Sequence, residues 1–255
     1  MKRLFFGIHR MPSSDDRSVC VLQAGLLAQK CLSLLVFFSL LVLLLPAAEA
    51  QGPAYTNLLS DAGLSMWMKT DGSAVSGGWL LESDGVLHLK GDGGNIITRE
   101  QYGDFDLWFE YRIASKGNSG IKYRVTQYDT SWLGPEYQIQ DDAAFPDMGD
   151  KHLTASLYDL ISISQPIFRR SYRTENEFNV GRILVQNNHV RHWQNGNLVI
   201  DECFGAPRFQ AAVSESKFRD RAGFGTNRVG RLMLTDHHSE VWFRNVFVRR
   251  LDSCR

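Results

Sequence analysis

From about residue 100 to the C-terminus, apolar and polar residues alternate with a period of two. Phe105, Leu107, Phe109, Tyr111 and Ile113 alternate with Asp106, Trp108, Glu110 and Arg112, and Ile121, Tyr123 and Val125 alternate with Lys122 and Arg124. Successive side chains of a strand point to opposite faces, so such runs are half-buried strands. Residues 182–186 lead through Asn187-Asn188 to a second run from Val190 to Gln194. Asn195-Gly196 then supplies a strong hairpin signal before Leu198-Val199-Ile200. Residues 241–248 make the last strand. Helical periodicity is scarce, and the pattern predicts an almost all-β domain of about twelve or more strands in two sheets. Residues 142–175, with Pro146, Gly149, Pro166 and several serines, are irregular. In a sandwich, a connection of that length lies over an end or a face and often carries function.

The first fifty residues follow another rule. An uncharged apolar run spans 31–45, preceded by Lys30 and followed by Pro46-Ala47-Ala48-Glu49-Ala50. A basic flank, an apolar stretch and an A-x-A end have the layout of a secretory signal. The expectation is a signal peptide over 1–50, cut after Ala50, and one domain over 51–255 that is periplasmic or secreted. An uncleaved anchor is the alternative, but a spanning helix needs about 20 apolar residues and Pro46 cuts this run short. The whole chain has 28 basic and 28 acidic residues; without the 5 and 3 in the first fifty, 23 face 25, a formal charge of −2. That balance points to neither nucleic acid nor an anionic membrane as partner. Cys203 and Cys254 remain in the mature part, and an oxidising compartment permits a bridge between them.

Four clusters hold candidate chemistry. Gly117-Asn118-Ser119-Gly120 leads into the strand with Arg124. In 135–141, Glu136, Gln138 and Gln140 share one face, and Tyr137 and Ile139 the other. A carboxylate beside two amides suits hydroxyl-rich ligands. His192 lies on the strand before the Asn195-Gly196 turn. Asp236-His237-His238-Ser239-Glu240 packs acidic and imidazole groups that suit proton transfer or a divalent metal. No nucleophile elbow, P-loop, dinucleotide fingerprint or H-E-x-x-H occurs.

Several blocks together resemble the 3-keto-disaccharide hydrolase family, also described as 3-keto-glucoside lyase/hydratase. They are Leu64-Ser65-Met66-Trp67, Trp79 with Asp84-Gly85-Val86-Leu87, residues 102–107, Asn118-Ser119-Gly120-Ile121, Glu136-Tyr137-Gln138-Ile139, Ser156-Leu157-Tyr158-Asp159, residues 190–196, and Leu234-Thr235-Asp236-His237 leading to 241–246. The resemblance runs from about Leu58 to Leu251. Thr235 and His238 stand where the family usually has Gln and Gly. The resemblance implies a concanavalin-like jelly roll of two antiparallel sheets, one curved around a sugar cleft. It also implies enzymes that cleave glycosides already oxidised at carbon 3, some with a divalent metal ion.

A carbon-3 ketone acidifies the hydrogen on carbon 2, so a base can remove it while the group on carbon 1 leaves; water then adds to the enone. On this expectation His237 and His192 serve as base and acid. Glu136 and Asp236 orient them or, with His237, hold the metal. Asn118, Arg124, Gln138 and Tyr158 hold sugar hydroxyls and the keto oxygen. Trp193 or Trp132 could stack on the ring, and alternation with His192 makes Trp193 a core residue. All five of His192, Glu136, Gln138, Asp236 and His237 are expected to converge on one face. The competing class is a non-catalytic, lectin-like binding module, since fold alone does not fix function.

Overall fold

The computed structural model describes residues 54–61, 64–163 and 177–251. The signal-peptide reading of 1–50 and Cys254 lie outside the described residues; Cys203 is an exposed free thiol. The described chain is a sandwich of two antiparallel sheets, a jelly roll with one short α-helix. Among these residues no helix is long and apolar enough to cross a membrane.

The strands are β1 (Thr56–Asn57), β2 (Trp67–Lys69), β3 (Trp79–Leu81), β4 (Leu87–Leu89), β5 (Ile96–Thr98), β6 (Phe105–Ile113), β7 (Asn118–Tyr128), β8 (Ser131–Leu133), β9 (Glu136–Gln140), β10 (Asn179–Gln186), β11 (His189–Gln194), β12 (Asn197–Cys203), β13 (Arg231–Leu234) and β14 (Val241–Arg250). One sheet runs β12-β11-β10-β6-β14-β4-β3, with β1 on β14. The other runs β2-β5-β13-β7-β8, with β9 also paired to β7. Helix α1 (Pro207–Glu215) opens with proline at its first turn and buries Phe209 and Ala212.

The period-two reading holds along β6, where Phe105, Leu107, Phe109, Tyr111 and Ile113 enter the core. Both hairpin turns are as the sequence predicts. Asn187 and Asn188 have φ of 51° and 64°, and Asn195 and Gly196 have 47° and 83°. Paired left-handed residues give the two-residue turn whose twist matches the strands it joins.

The alternation fails in two strands. In β7 the register slips by one residue between the pairs Arg231↔Val125 and Met233↔Lys122, and Arg124 has φ of 48°. This bulge resets the parity. Ile121 and Tyr123 join the inter-sheet core, while Val125 joins a separate apolar patch with Ile97 and Met233. In β11 alternation is kept, but the polar set faces inward: Val190, His192 and Gln194 are buried and Arg191 and Trp193 are not. Trp193 is therefore an outer-face residue, contrary to the expectation. With Trp108 it sandwiches the Arg182 guanidinium, 4.7 Å and 4.8 Å from the two ring centroids.

Candidate functional site

The site is built on the outer face of the second sheet by strand register. β9 pairs with β7 so that Lys122 lies opposite Glu136, and Gly120 opposite Gln138. On the far side of β9 the chain returns through 155–158. Tyr158 N–H donates to the Glu136 carbonyl (3.0 Å), and Ala155 N–H to that of Gln138 (2.8 Å). Tyr158 thus sits across from Glu136, on the same face. On the other side of β7, Met233 pairs with Lys122 and Thr235 N–H donates to the Gly120 carbonyl (3.0 Å). Parity carries Met233, Thr235 and His237 to this face. One row across the sheet reads Tyr158, Glu136, Lys122, Met233, with His237 just beyond.

Glu136 is 4 % exposed. Its Oε2 lies 3.7 Å from Lys122 Nζ. Its Oε1 has no hydrogen-bond partner among the described residues. A buried carboxylate oxygen left bare costs free energy unless a ligand completes it. Gln138 Nε2 donates to Asn118 Oδ1 and to Gln140 Oε1, each at 3.1 Å, forming an amide row beside the carboxylate. His237 is exposed on its solvent side. Lost hydration against the sheet holds its pKa below the usual imidazole value; the Glu136 charge pulls the other way, and Lys122 and Lys217 add to the lowering. The Tyr158 phenol is pushed up, first by burial and then by the charges of Glu136 and Asp159, and stays protonated at neutral pH. Lys217 Nζ rests 4.2 Å from the centroid of its ring.

Glu136, Gln138, Asn118, Tyr158 and His237 therefore come together, and three expected residues do not join them. His192 is fully buried between the sheets. Its Nε2 meets Tyr123 Oη and its Nδ1 meets the Ala155 carbonyl, both at 3.0 Å. Burial pushes its pKa down to about 4, so it is a neutral core residue rather than a base or acid at the outer face. Arg124 is turned aside by the bulge. It donates to the Gly103 carbonyl, to Asn188 and to Asp104, within 3.1 Å in each case. Asp236 lies between, with both oxygens committed to backbone: Oδ2 accepts from Gly94 N–H (2.7 Å) and Oδ1 from His238 N–H (2.8 Å). It clamps the approach to β14 and reaches His237 only through its charge.

Each Asp236 oxygen accepts one backbone N–H, and an ammonium stands 3.7 Å from Glu136 Oε2. Among the described residues, no three His, Cys, Asp or Glu side chains converge in a metal-binding arrangement.

Sequence reasoning missed Lys122 and Lys217, and it read Gly120 only as part of a turn. A Cβ at Gly120 would stand 2.3 Å from Glu136 Oε1, so glycine leaves the space the carboxylate occupies. Lys122 shares parity with Asn118, and that was the available signal. Lys217 comes from the segment after α1 and had none. A cavity of about 730 Å3 lies elsewhere: it opens on the outer face of the other sheet, lined by Tyr55, Trp108, Phe109, Glu110, Val180, Asn245 and Phe247. Glu110, the carboxylate among these lining residues, is held by Arg244 and Asn245 at 2.7 Å.

A two-sheet jelly roll with a carboxylate, an imidazole, a phenol and amides on one sheet defines a glycoside-hydrolase-like protein, and the comparisons agree. Residues 54–249 match the 3-keto-alpha-glucoside-1,2-lyase-like domain, and the chain belongs to that family. It is 30% identical over 215 residues to a 3-keto-disaccharide hydrolase of Bacteroides thetaiotaomicron, covering 74% of this chain and 71% of that one. A putative glycosyl hydrolase from Parabacteroides distasonis superposes with a TM-score of 0.71 at 27% identity, covering 82% of this chain and 98% of that one. A second from the same organism, at 20% identity and a TM-score of 0.63, shares the fold.

Proposed function

We propose that this chain cleaves glycosides whose sugar carries a ketone at carbon 3, by elimination across carbons 1 and 2 followed by hydration. The observation that carries this reading is Glu136: a nearly buried carboxylate whose Oε1 has no hydrogen-bond partner among the described residues, in line with Tyr158 and near His237. Glu136 Oε1 removes the proton on carbon 2. The C–H electron pair becomes the C1=C2 bond by way of an enolate at carbon 3, and the C1–O bond breaks. The Tyr158 phenol gives its proton to the departing oxygen. His237, neutral at pH 7, then takes a proton from water and passes it to the Tyr158 phenolate. The hydroxide adds to carbon 1, and Glu136 returns its proton to carbon 2. Proton transfer by a placed group contributes about 10²–10⁴-fold in rate. Asn118 and Gln138 hold sugar hydroxyls. Unlike ordinary glycosidases, this route needs no second carboxylate across the bond. Residues 1–50 would direct the domain out of the cytoplasm.

Incubating purified protein with a 3-keto glucoside, with and without chelator, and with the unoxidised glucoside tests the reading. Release of aglycone from the keto substrate alone, with an enone trapped on the way, is the expected result. Sugar binding without turnover would instead identify a binding module.

A further inference from the structure

We propose that Lys122 is a catalytic residue: its ammonium receives the carbon-3 oxygen as negative charge gathers there, with Lys217 adding a second positive charge beyond Tyr158. The inference rests on the elimination reading above and specifies how the site recognises an oxidised sugar.

The Lys122–Glu136 pair is poorly made as a structural salt bridge. The two side chains are 14% and 4% exposed, yet their closest approach is 3.7 Å, outside ordinary hydrogen-bond distance. Glu136 Oε1 has no hydrogen-bond partner among the described residues. Taking two charges out of water is repaid only when geometry is good and the remaining donors and acceptors are satisfied. Here an ammonium stands beside a carboxylate whose other oxygen, Oε1, has no hydrogen-bond partner among the described residues, on the face that carries Tyr158 and His237. A ligand presenting an acidic hydrogen and an adjacent oxygen would complete both at once. A 3-keto sugar presents that pair: the hydrogen on carbon 2 and the oxygen on carbon 3.

The surroundings favour charge stabilisation over mere attraction. Lys122 pairs with Met233, and the neighbouring patch of Ile97, Val125 and Met233 is walled by Met68 and Trp132. An apolar wall on one side keeps water from screening the ammonium, so its interaction with a developing oxyanion is worth more than in solvent. Lys217 is held from two sides: its backbone N–H donates to Asp159 Oδ2 at 2.8 Å, and its ammonium rests on the Tyr158 ring. In the step itself, the carbon-2 proton goes to Glu136 and its electron pair forms C2=C3. The carbonyl pair moves onto oxygen, facing Lys122. Collapse restores C3=O, forms C1=C2 and expels the carbon-1 oxygen with the Tyr158 proton. No oxidant or reductant is required.

Two readouts on the purified protein test this: turnover of a 3-keto glucoside, and deuterium uptake at carbon 2 of free 3-keto glucose in D₂O. The second isolates proton removal from bond cleavage. Lys122→Met should lower both by about 10²-fold or more, the typical loss on removing one oxyanion donor, with KM changed by less than about threefold. Lys122→Arg, which keeps the charge, should recover part of both. Lys217→Met should cost roughly tenfold, one such charge at the edge of the site. Melting curves check that the variants fold; if Lys122→Met does not, the comparison passes to Lys122→Arg and Lys122→Gln. Lys122 variants that exchange and cleave like wild type would overturn the inference. Wild-type exchange without cleavage would sink the elimination reading while leaving Lys122 tested by exchange, and neither activity in wild type would sink both.

Discussion

The carboxylate of Glu136 occupies the volume that a side chain at Gly120 would need, with 2.3 Å between Glu136 Oε1 and a Cβ placed there. Glu136 leans over a residue of β7 that makes room for it, toward β13, which the chain leaves by way of His237. The expected behaviour of Gly120→Ala follows. The clash is with the far end of a flexible side chain, so the sandwich folds and Tm falls by only a few degrees. Activity on a 3-keto glucoside should fall by about 10²-fold or more, the scale of losing a positioned general base. Activity within about threefold of wild type would separate Glu136 from the chemistry.

His192 sets an acid limit on stability. Its folded pKa of about 4 lies below the unfolded value near 6.5. Between those values the unfolded chain binds more protons, so stability falls as pH drops from 6.5 toward 4. Full burial makes the effect on the order of 3 kcal/mol. His192→Gln should be less stable than wild type at pH 7.5, with the gap narrowing on acidification. Denaturant melts at pH 7.5, 6, 5 and 4.5 measure this. Parallel curves would show that His192 does not titrate on unfolding. Asp142, whose carboxyl burial raises to about 6, acts in the opposite sense in both proteins and cancels in the difference.

Asp236 is expected to behave as a clamp. Asp236→Ala removes the acceptor for Gly94 N–H and His238 N–H, at a cost of about 1–2 kcal/mol for two partly exposed bonds. Asp236→Asn keeps one acceptor and should lose roughly half as much. Thermal melts read both. A metal-ligand role predicts instead that added divalent ions raise the wild-type Tm and leave that of Asp236→Asn unchanged.

Asp106 anchors the other sheet. It is fully buried, accepts Arg182 Nε at 2.8 Å and Nη2 at 3.0 Å, Arg249 Nη2 at 3.0 Å, and the Tyr55 hydroxyl at 2.6 Å. Burial raises its carboxyl pKa, and these bonds more than offset that, so the net shift is downward. Stability from such a group is present above the unfolded pKa and lost as pH falls through the folded one. Asp106→Asn should cost about 2–3 kcal/mol at pH 7, below the full figure for a buried pair because both arginines are partly solvated. The deficit should shrink in strong acid.

Much of the fold was legible because period-two alternation and Asn-rich turns act locally. β6, the two hairpins around β11 and the shared face of Glu136, Gln138 and Gln140 could be read from residue types alone. The inward face of β11 could not, since it is a buried polar network. Tyr111 and Tyr137 both donate to Gln194, Gln194 donates to Asn179, and His192 meets Tyr123. Polarity there marks satisfied partners on β6 and β10 of the same sheet and on β7 and β9 of the facing one, which no single strand reveals. The β7 bulge was equally hidden: Arg124 takes a left-handed conformation without the glycine that usually announces one. At His238 the signal was present, since the family's usual Gly fits its φ of 60°.

The return of residues 155–158 along β9 has a consequence for the protein's behaviour in a crowded solution. A terminal strand with open peptide groups is a template on which a second chain can add its own strand. Here Gln138 N–H donates to the Ser156 carbonyl, and the carbonyls of Glu136 and Gln138 accept from Tyr158 and Ala155. The segment that brings Tyr158 to the site therefore also guards the sheet against self-association. A proteolytic nick or an insertion between 150 and 160 would expose an adhesive edge, and aggregation would accompany the loss of activity.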